Sequence, residues 1–226
     1  MSNRAFYTIL VMLLLGFFVY YIAMLQQRIA KLEALLIEKV RTNEFNIPTV
    51  NRPKIGADDA QIEVLVFIDF TCPHCKEVYA QIERLRPEYI DSKKVRFVFF
   101  SYPVPSHENS LLFAAVSNYG HAIDKFEPFY HRLFQLQGSL NFNNITSNFI
   151  DLVPDTADFR NRIMQANQPA IEEDIQIIKD FQIKGTPAFI IANELHVGLK
   201  TDEQMKATLD EALLYDNKNN AINSNP

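Results

Sequence analysis

The chain has 226 residues, and 22 Lys and Arg against 27 Asp and Glu leave a formal net charge of −5, which argues against a nucleic-acid binder resting on bulk positive charge. Hydrophobic residues make up 48% and charged residues 22%, with 6 Gly and 11 Pro; this is a globular mix that excludes wholesale disorder and collagen-like repetition, and one folded domain with appendages is expected. Only two cysteines occur, Cys72 and Cys75, and they share one four-residue window.

In chain order, Ala5 to Leu25 carries no charged residue, and about 20 residues at about 1.5 Å each span a hydrocarbon core of about 30 Å. The first 25 residues therefore read as an uncleaved membrane anchor. A cleaved signal peptide has a shorter apolar run and a small-x-small site, whereas Tyr21 stands two before Ala23. Tyr7, Tyr20 and Tyr21 suit an interfacial aromatic belt. Arg4 precedes the span while Arg28, Lys31, Lys39 and Arg41 follow it, so the positive-inside count puts the body in the cytoplasm. The redox chemistry developed below puts it outside. Long domains translocate largely regardless of charge, and the redox argument is given more weight.

Residues 26–54 read as a stalk and linker. Leu25, Ile29, Leu32, Leu36 and Val40 form one apolar stripe of an amphipathic helix continuing from the span. The stripe is shorter than a sustained coiled coil needs, so a solvated stalk and homo-oligomerisation through residues 25–42 both fit. Asn43 to Lys54, with Pro48 and Pro53, breaks the pattern as a linker.

The folded body is expected over residues 55–216. Ile62 to Phe70 is a near-continuous β-branched and aromatic run, as in a strand buried on both faces. Cys72-Pro73-His74-Cys75 follows at once, then a helix with Val78, Ile82 and Leu85 on one face. Lys94 to Phe100 is a second strand. The stretch from about 107 to 180 is helical, with breaks at Gly120, Gly138 to Asn144, Pro154 and Gln168-Pro169. Phe189 to Ala192 and Glu194 to Val197 are short strands, Asp202 to Tyr215 a closing helix, and 217–226 a disordered polar tail.

Three chemistries compete for Cys72 and Cys75. A structural zinc site wants four ligands, and no second cysteine pair exists, while His74, His107, His121, His131 and His196 stand at no metal-ligand spacing. A structural disulfide gains less as its loop shortens, and this loop is minimal. Redox exchange needs a nucleophilic thiolate with a second thiol in reach, and a CxxC at a helix start supplies both. Cys72 would face the free N–H groups and positive dipole end of the helix, which lowers its pKa. Pro73 suits the first turn, where its missing N–H is no loss. His74 can donate to the Cys72 thiolate, and Cys75 is the shielded resolving thiol. The other four histidines read as structural or solvated. No metal and no organic cofactor is required.

These residues resemble the thioredoxin superfamily and, more narrowly, the DsbA family of extracytoplasmic thiol oxidases. The features that carry the resemblance are Val64, Ile68 and Phe70 ahead of Cys72-Pro73-His74-Cys75, the long helical stretch, and Gly185-Thr186-Pro187-Ala188-Phe189. The resemblance covers about Gly56 to Tyr215. It implies an α/β thioredoxin fold with a helical insertion, a cis Pro187 beside the disulfide, and substrate binding at Thr186 and Pro187. It also implies newly exported cysteine-containing proteins as substrates, a DsbB-like quinone-linked membrane reoxidase, and a periplasmic or other extracytoplasmic site at the cytoplasmic membrane. Two positions depart from related patterns. Val66 stands where several relatives carry a buried acid, and Asp69, the nearest carboxylate, reads as structural. An oxidase is the first reading, with a potential nearer about −120 mV than about −270 mV. An oligomeric isomerase or reductase is the second, and a non-enzymatic envelope scaffold the third.

Overall fold

The computed structural model describes residues 3–42, 45–165 and 168–223, and the chain divides into two compact units, residues 1–44 and 45–226. The first unit is one helix, α1 (Asn3–Thr42). Within it Val11–Leu32 is long and apolar enough to cross a membrane. The expected span and stalk lie on this single helix without a break, since no Pro interrupts it. Ile29 and Leu32 of the apolar stripe are exposed; the side chains of Leu36 and Val40 lie outside the described residues.

The second unit starts ten residues earlier than the sequence suggests. From Phe45 the expected linker is part of the fold: the Phe45 N–H donates to Asn193 Oδ1 at 2.8 Å, the Phe45 ring meets Phe181 at 5.3 Å, and Ile47 and Arg52 are buried. Pro48 and Pro53 exclude a helix there, but they do not exclude burial. The segment ends in β1 (Lys54–Ile55).

The sheet contains β1, β2 (Ile62–Ile68), β3 (Val95–Ser101), β4 (Ala188–Ile191) and β5 (Glu194–Val197) in the order β1-β3-β2-β4-β5. Strand β2 lies at its centre, parallel to β3 and antiparallel to β4, with Val66 opposite Phe189 and Phe67 opposite Ala188. Alternation divides these apolar runs between two cores. Val64, Val66, Ile68, Phe97, Phe99 and Phe189 face one, and Leu65, Phe67, Val98, Phe100 and Ile190 face the other. A strand with both faces covered has no polar alternation, which is why Ile62 to Ile68 reads as one apolar block.

Helix α2 (Pro73–Leu85) runs directly from β2 and passes into a π-helical turn, Arg86–Ile90. Pro87 lies at the start of that turn and cannot donate an i→i−4 bond, so the register widens there. Between β3 and β4 lie α3 (Ser110–Ala122), α4 (Phe126–Gln135), α5 (Ile145–Phe149), α6 (Thr156–Ile163) and α7 (Pro169–Asp180). Gly120 does not break a helix as expected. It sits inside α3, where a Cβ would stand 2.5 Å from the Phe129 ring, so the missing side chain admits close packing of α4. The closing helix, α8 (Asp202–Asn223), also overruns its expected end. Residues 217–223 continue it in place of an irregular tail, since neither Gly nor Pro stops it; 224–226 lie outside the described residues.

Candidate active site

The sheet register builds the site. Because Phe67 pairs with Ala188, the end of β2 and the start of β4 lie side by side, and the segments leaving them bring Cys72 beside Thr186-Pro187. The Thr186–Pro187 peptide is cis, and Cys72 Sγ lies 3.7 Å from the Thr186 carbonyl oxygen. The Pro187 carbonyl accepts from the Gly198 N–H at 2.8 Å, which ties this loop to the end of β5. Residues 114 apart in sequence thus share one site.

Cys72 is the N-cap of α2, in extended geometry (φ −74°, ψ 125°), with Pro73 in the first turn. Its carbonyl accepts from the N–H of Cys75 at 3.1 Å and of Lys76 at 3.3 Å, so the helix starts on Cys72 itself. The first turn holds no acidic residue that would compete with an anionic sulfur for the positive helix end.

The two sulfurs titrate in opposite directions. Hydrogen bonding from Cys75 is the largest influence on Cys72. Against the opposing effect of burial, it lowers the Cys72 pKa to about 5, helped by the backbone N–H of Cys75, the Thr186 side chain and the backbone N–H of His74. Burial pushes the Cys75 thiol far above the ordinary range, and the hydrogen bond and negative charge of Cys72 push the same way. Cys75 is fully buried, and Cys72 is 5% exposed. Both are free thiols. His74 enters differently from expectation: its side chain is exposed, and its influence on Cys72 runs through the backbone N–H.

Val66, six residues before Cys72, is fully buried and paired with Phe99 and Phe189; an ionised side chain there would face a dry, apolar surround. Among the described residues, no group of three or more His, Cys, Asp or Glu could hold a metal ion.

Two contacts at the site are not visible in the sequence. The Gln137 side chain, from the loop after α4, donates from Nε2 to the carbonyls of Phe70 at 2.8 Å and Cys72 at 2.9 Å. His107 Nδ1 lies 2.7 Å from Asp69 Oδ2, although His107 carries no partner spacing. Neither residue lies near the CxxC in sequence, and only the path of the insertion brings them to it. Asp69 is structural in the expected sense: it is buried and its carboxylate organises the turn by accepting from the N–H and hydroxyl of Thr71.

A buried dithiol of divided acidity at a strand-to-helix turn, faced by a cis-proline loop, defines a protein that exchanges thiols and disulfides. The thioredoxin family profile matches residues 49–211. Disulfide bond formation protein D of Bacillus subtilis is 24% identical over 173 residues, 72% of this chain and 77% of that protein. The oxidised crystal structure of BdbD from Bacillus subtilis superposes with a TM-score of 0.67 at 20% identity, covering 74% of this chain and 95% of that one. The thiol-disulfide exchange protein alpha-DsbA2 from Wolbachia pipientis does so with a TM-score of 0.61 at 23% identity, covering 77% and 92%. The chain belongs to the thioredoxin family and is a thiol:disulfide oxidoreductase.

Proposed function

We propose that the protein is a membrane-anchored oxidase that introduces disulfides into exported polypeptides through Cys72 and Cys75. The observation that carries this reading is the split between the sulfurs, with Cys72 lowered to about 5 and Cys75 raised by burial. A stabilised Cys72 thiolate favours the reduced protein and so makes the disulfide a strong oxidant.

The reaction follows from that split. A substrate thiolate bonds to Cys72 Sγ, the Cys72–Cys75 bond breaks, and its electron pair passes to Cys75, which takes up a proton. A second substrate thiolate then attacks the substrate's own sulfur in the mixed disulfide, and Cys72 departs as a thiolate. The substrate is oxidised by two electrons and the protein reduced by two. Cys72 is the better leaving group because its pKa is the lower. Thr186 and Pro187 receive the substrate strand beside Cys72, Pro73 starts the helix that holds the thiolate, and His74 supports it through its N–H. A DsbB-like reoxidase restores the disulfide.

The anchor is supported by the apolar length of Val11–Leu32, and an extracytoplasmic body by Cys72 and Cys75 being the only cysteines, which leaves no stray thiol in an oxidising compartment.

Whole cells carrying the Cys75→Ser full-length protein test the first reading. Mixed disulfides through Cys72 should accumulate with exported proteins, in the membrane fraction, and be released by a membrane-impermeant reductant; Cys72→Ser should trap none. Trapping of cytoplasmic proteins, or release only after lysis, would overturn it.

A further inference from the structure

Asp69 follows directly on β2 and touches the redox pair through its main chain. Its carbonyl accepts the Cys72 N–H at 3.0 Å, and its backbone hydrogen bonding acts on the Cys75 sulfur. Its carboxylate is fully buried and clamps two separate segments. Oδ1 accepts from the N–H of Thr71 at 2.8 Å and its hydroxyl at 2.7 Å, within the redox turn. Oδ2 accepts from the Val104 N–H at 3.2 Å and meets His107 Nδ1 at 2.7 Å, both on the segment leading from β3 into the insertion. His107 is the side chain farthest along the sequence in this clamp, 38 residues from Asp69. His107 also lines a cavity of about 460 Å³ together with Thr71, Pro73 and Gln137, which places it beside the redox turn.

We propose that His107 is a positioning residue of the redox site: through Asp69 it fixes the turn that holds Cys72 and Cys75, so that the helical insertion sets how strongly the Cys72 thiolate is stabilised. A buried carboxylate that loses a donor shifts toward its remaining donors or toward water. A shift of the carboxylate is passed to the redox turn through Oδ1, which holds the N–H and hydroxyl of Thr71, the residue before Cys72. This assignment rests on Cys72 being the attacking thiolate, as proposed above, and names what holds it in place.

The test compares His107→Leu, which removes the donor at similar size, with His107→Asn, which keeps an N–H near the position of Nδ1. Both are made in the full chain. Thiolate absorbance against pH and equilibration with a glutathione buffer are the readouts. In His107→Leu the Cys72 midpoint should rise by about one pH unit, and the redox equilibrium should shift about tenfold toward the disulfide, about 30 mV more reducing. His107→Asn should stay within about twofold of the unsubstituted protein, a margin of about 0.4 kcal/mol. Equal behaviour of the two variants, or a Leu variant whose unfolding midpoint falls while its Cys72 midpoint and redox equilibrium do not move, would overturn the assignment. If His107→Leu does not fold, His107→Ala, which admits water to the carboxylate, is read in the same way. An unsubstituted protein titrating like a free thiol would instead defeat the oxidase reading, so the two failures are distinguishable.

Discussion

Cys72 and Cys75 are one helical turn apart, yet the same packing opposes their ionisation to very different extents. Cys72 stands where N–H donors and a thiol converge, and its anion is solvated by the protein. Cys75 is enclosed, and its anion is not. The consequence for stability has a definite sign. A thiol whose folded pKa is depressed stabilises the fold fully above the unfolded pKa, near 9, and that contribution is lost as pH falls through about 5. Cys75 is raised, so it costs stability only above about 9 and leaves that window untouched. The oxidised protein has no thiol to titrate. Chemical denaturation of both forms should show the stability of the reduced protein, relative to the oxidised, falling steadily from pH 9 to pH 5. A difference independent of pH across that range would contradict the assigned acidity.

At the scale of elements, the segment between α1 and β1 is a strap against the sheet, not a spacer. Arg52 is 6% exposed, its Nη1 pairs with the buried Asp174 of α7, and its guanidinium lies 4.9 Å from the Phe100 ring. Asp174 also accepts the Ser101 N–H at 2.7 Å. Burial raises its pKa to about 7 even against the attraction of Arg52. Arg52→Met would leave an uncompensated buried carboxylate and should cost about 3–5 kcal/mol at pH 8. The loss should be smaller at pH 5, where Asp174 is protonated and no charge is stranded. Denaturant unfolding at the two pH values checks this, and a loss below about 1 kcal/mol at pH 8 would mean that the strap is dispensable. The strap was illegible in the sequence because Pro48 and Pro53 announce irregular backbone and say nothing of burial. Gly120 misled for a related reason: composition marks a weak helix position, whereas the Phe129 ring packed against it is a tertiary fact. The strands were legible because β2 and β3 are buried on both faces and so leave unbroken apolar runs.

At the scale of the molecule, the site joins three distant stretches: the turn after β2, the loop before β4, and the insertion. The first two announce themselves in sequence, CxxC through the chemistry of two thiols at a helix start and Gly-Thr-Pro through the family resemblance. The insertion's contributions, His107 and Gln137, do not. Their side chains are common surface types whose meaning comes only from reaching Asp69 and the carbonyls of Phe70 and Cys72. The insertion thus buttresses the turn that the central strand delivers, and the cis-proline loop meets that turn at Cys72 Sγ. Every part of this arrangement bears on one atom, Cys72 Sγ. Its acidity is measured directly by following thiolate absorbance against pH in the reduced full-length protein, with Cys72→Ser as the blank. A single transition near pH 5 is expected; a midpoint near the free-thiol value of about 8.5 would contradict an oxidase built on a stabilised thiolate.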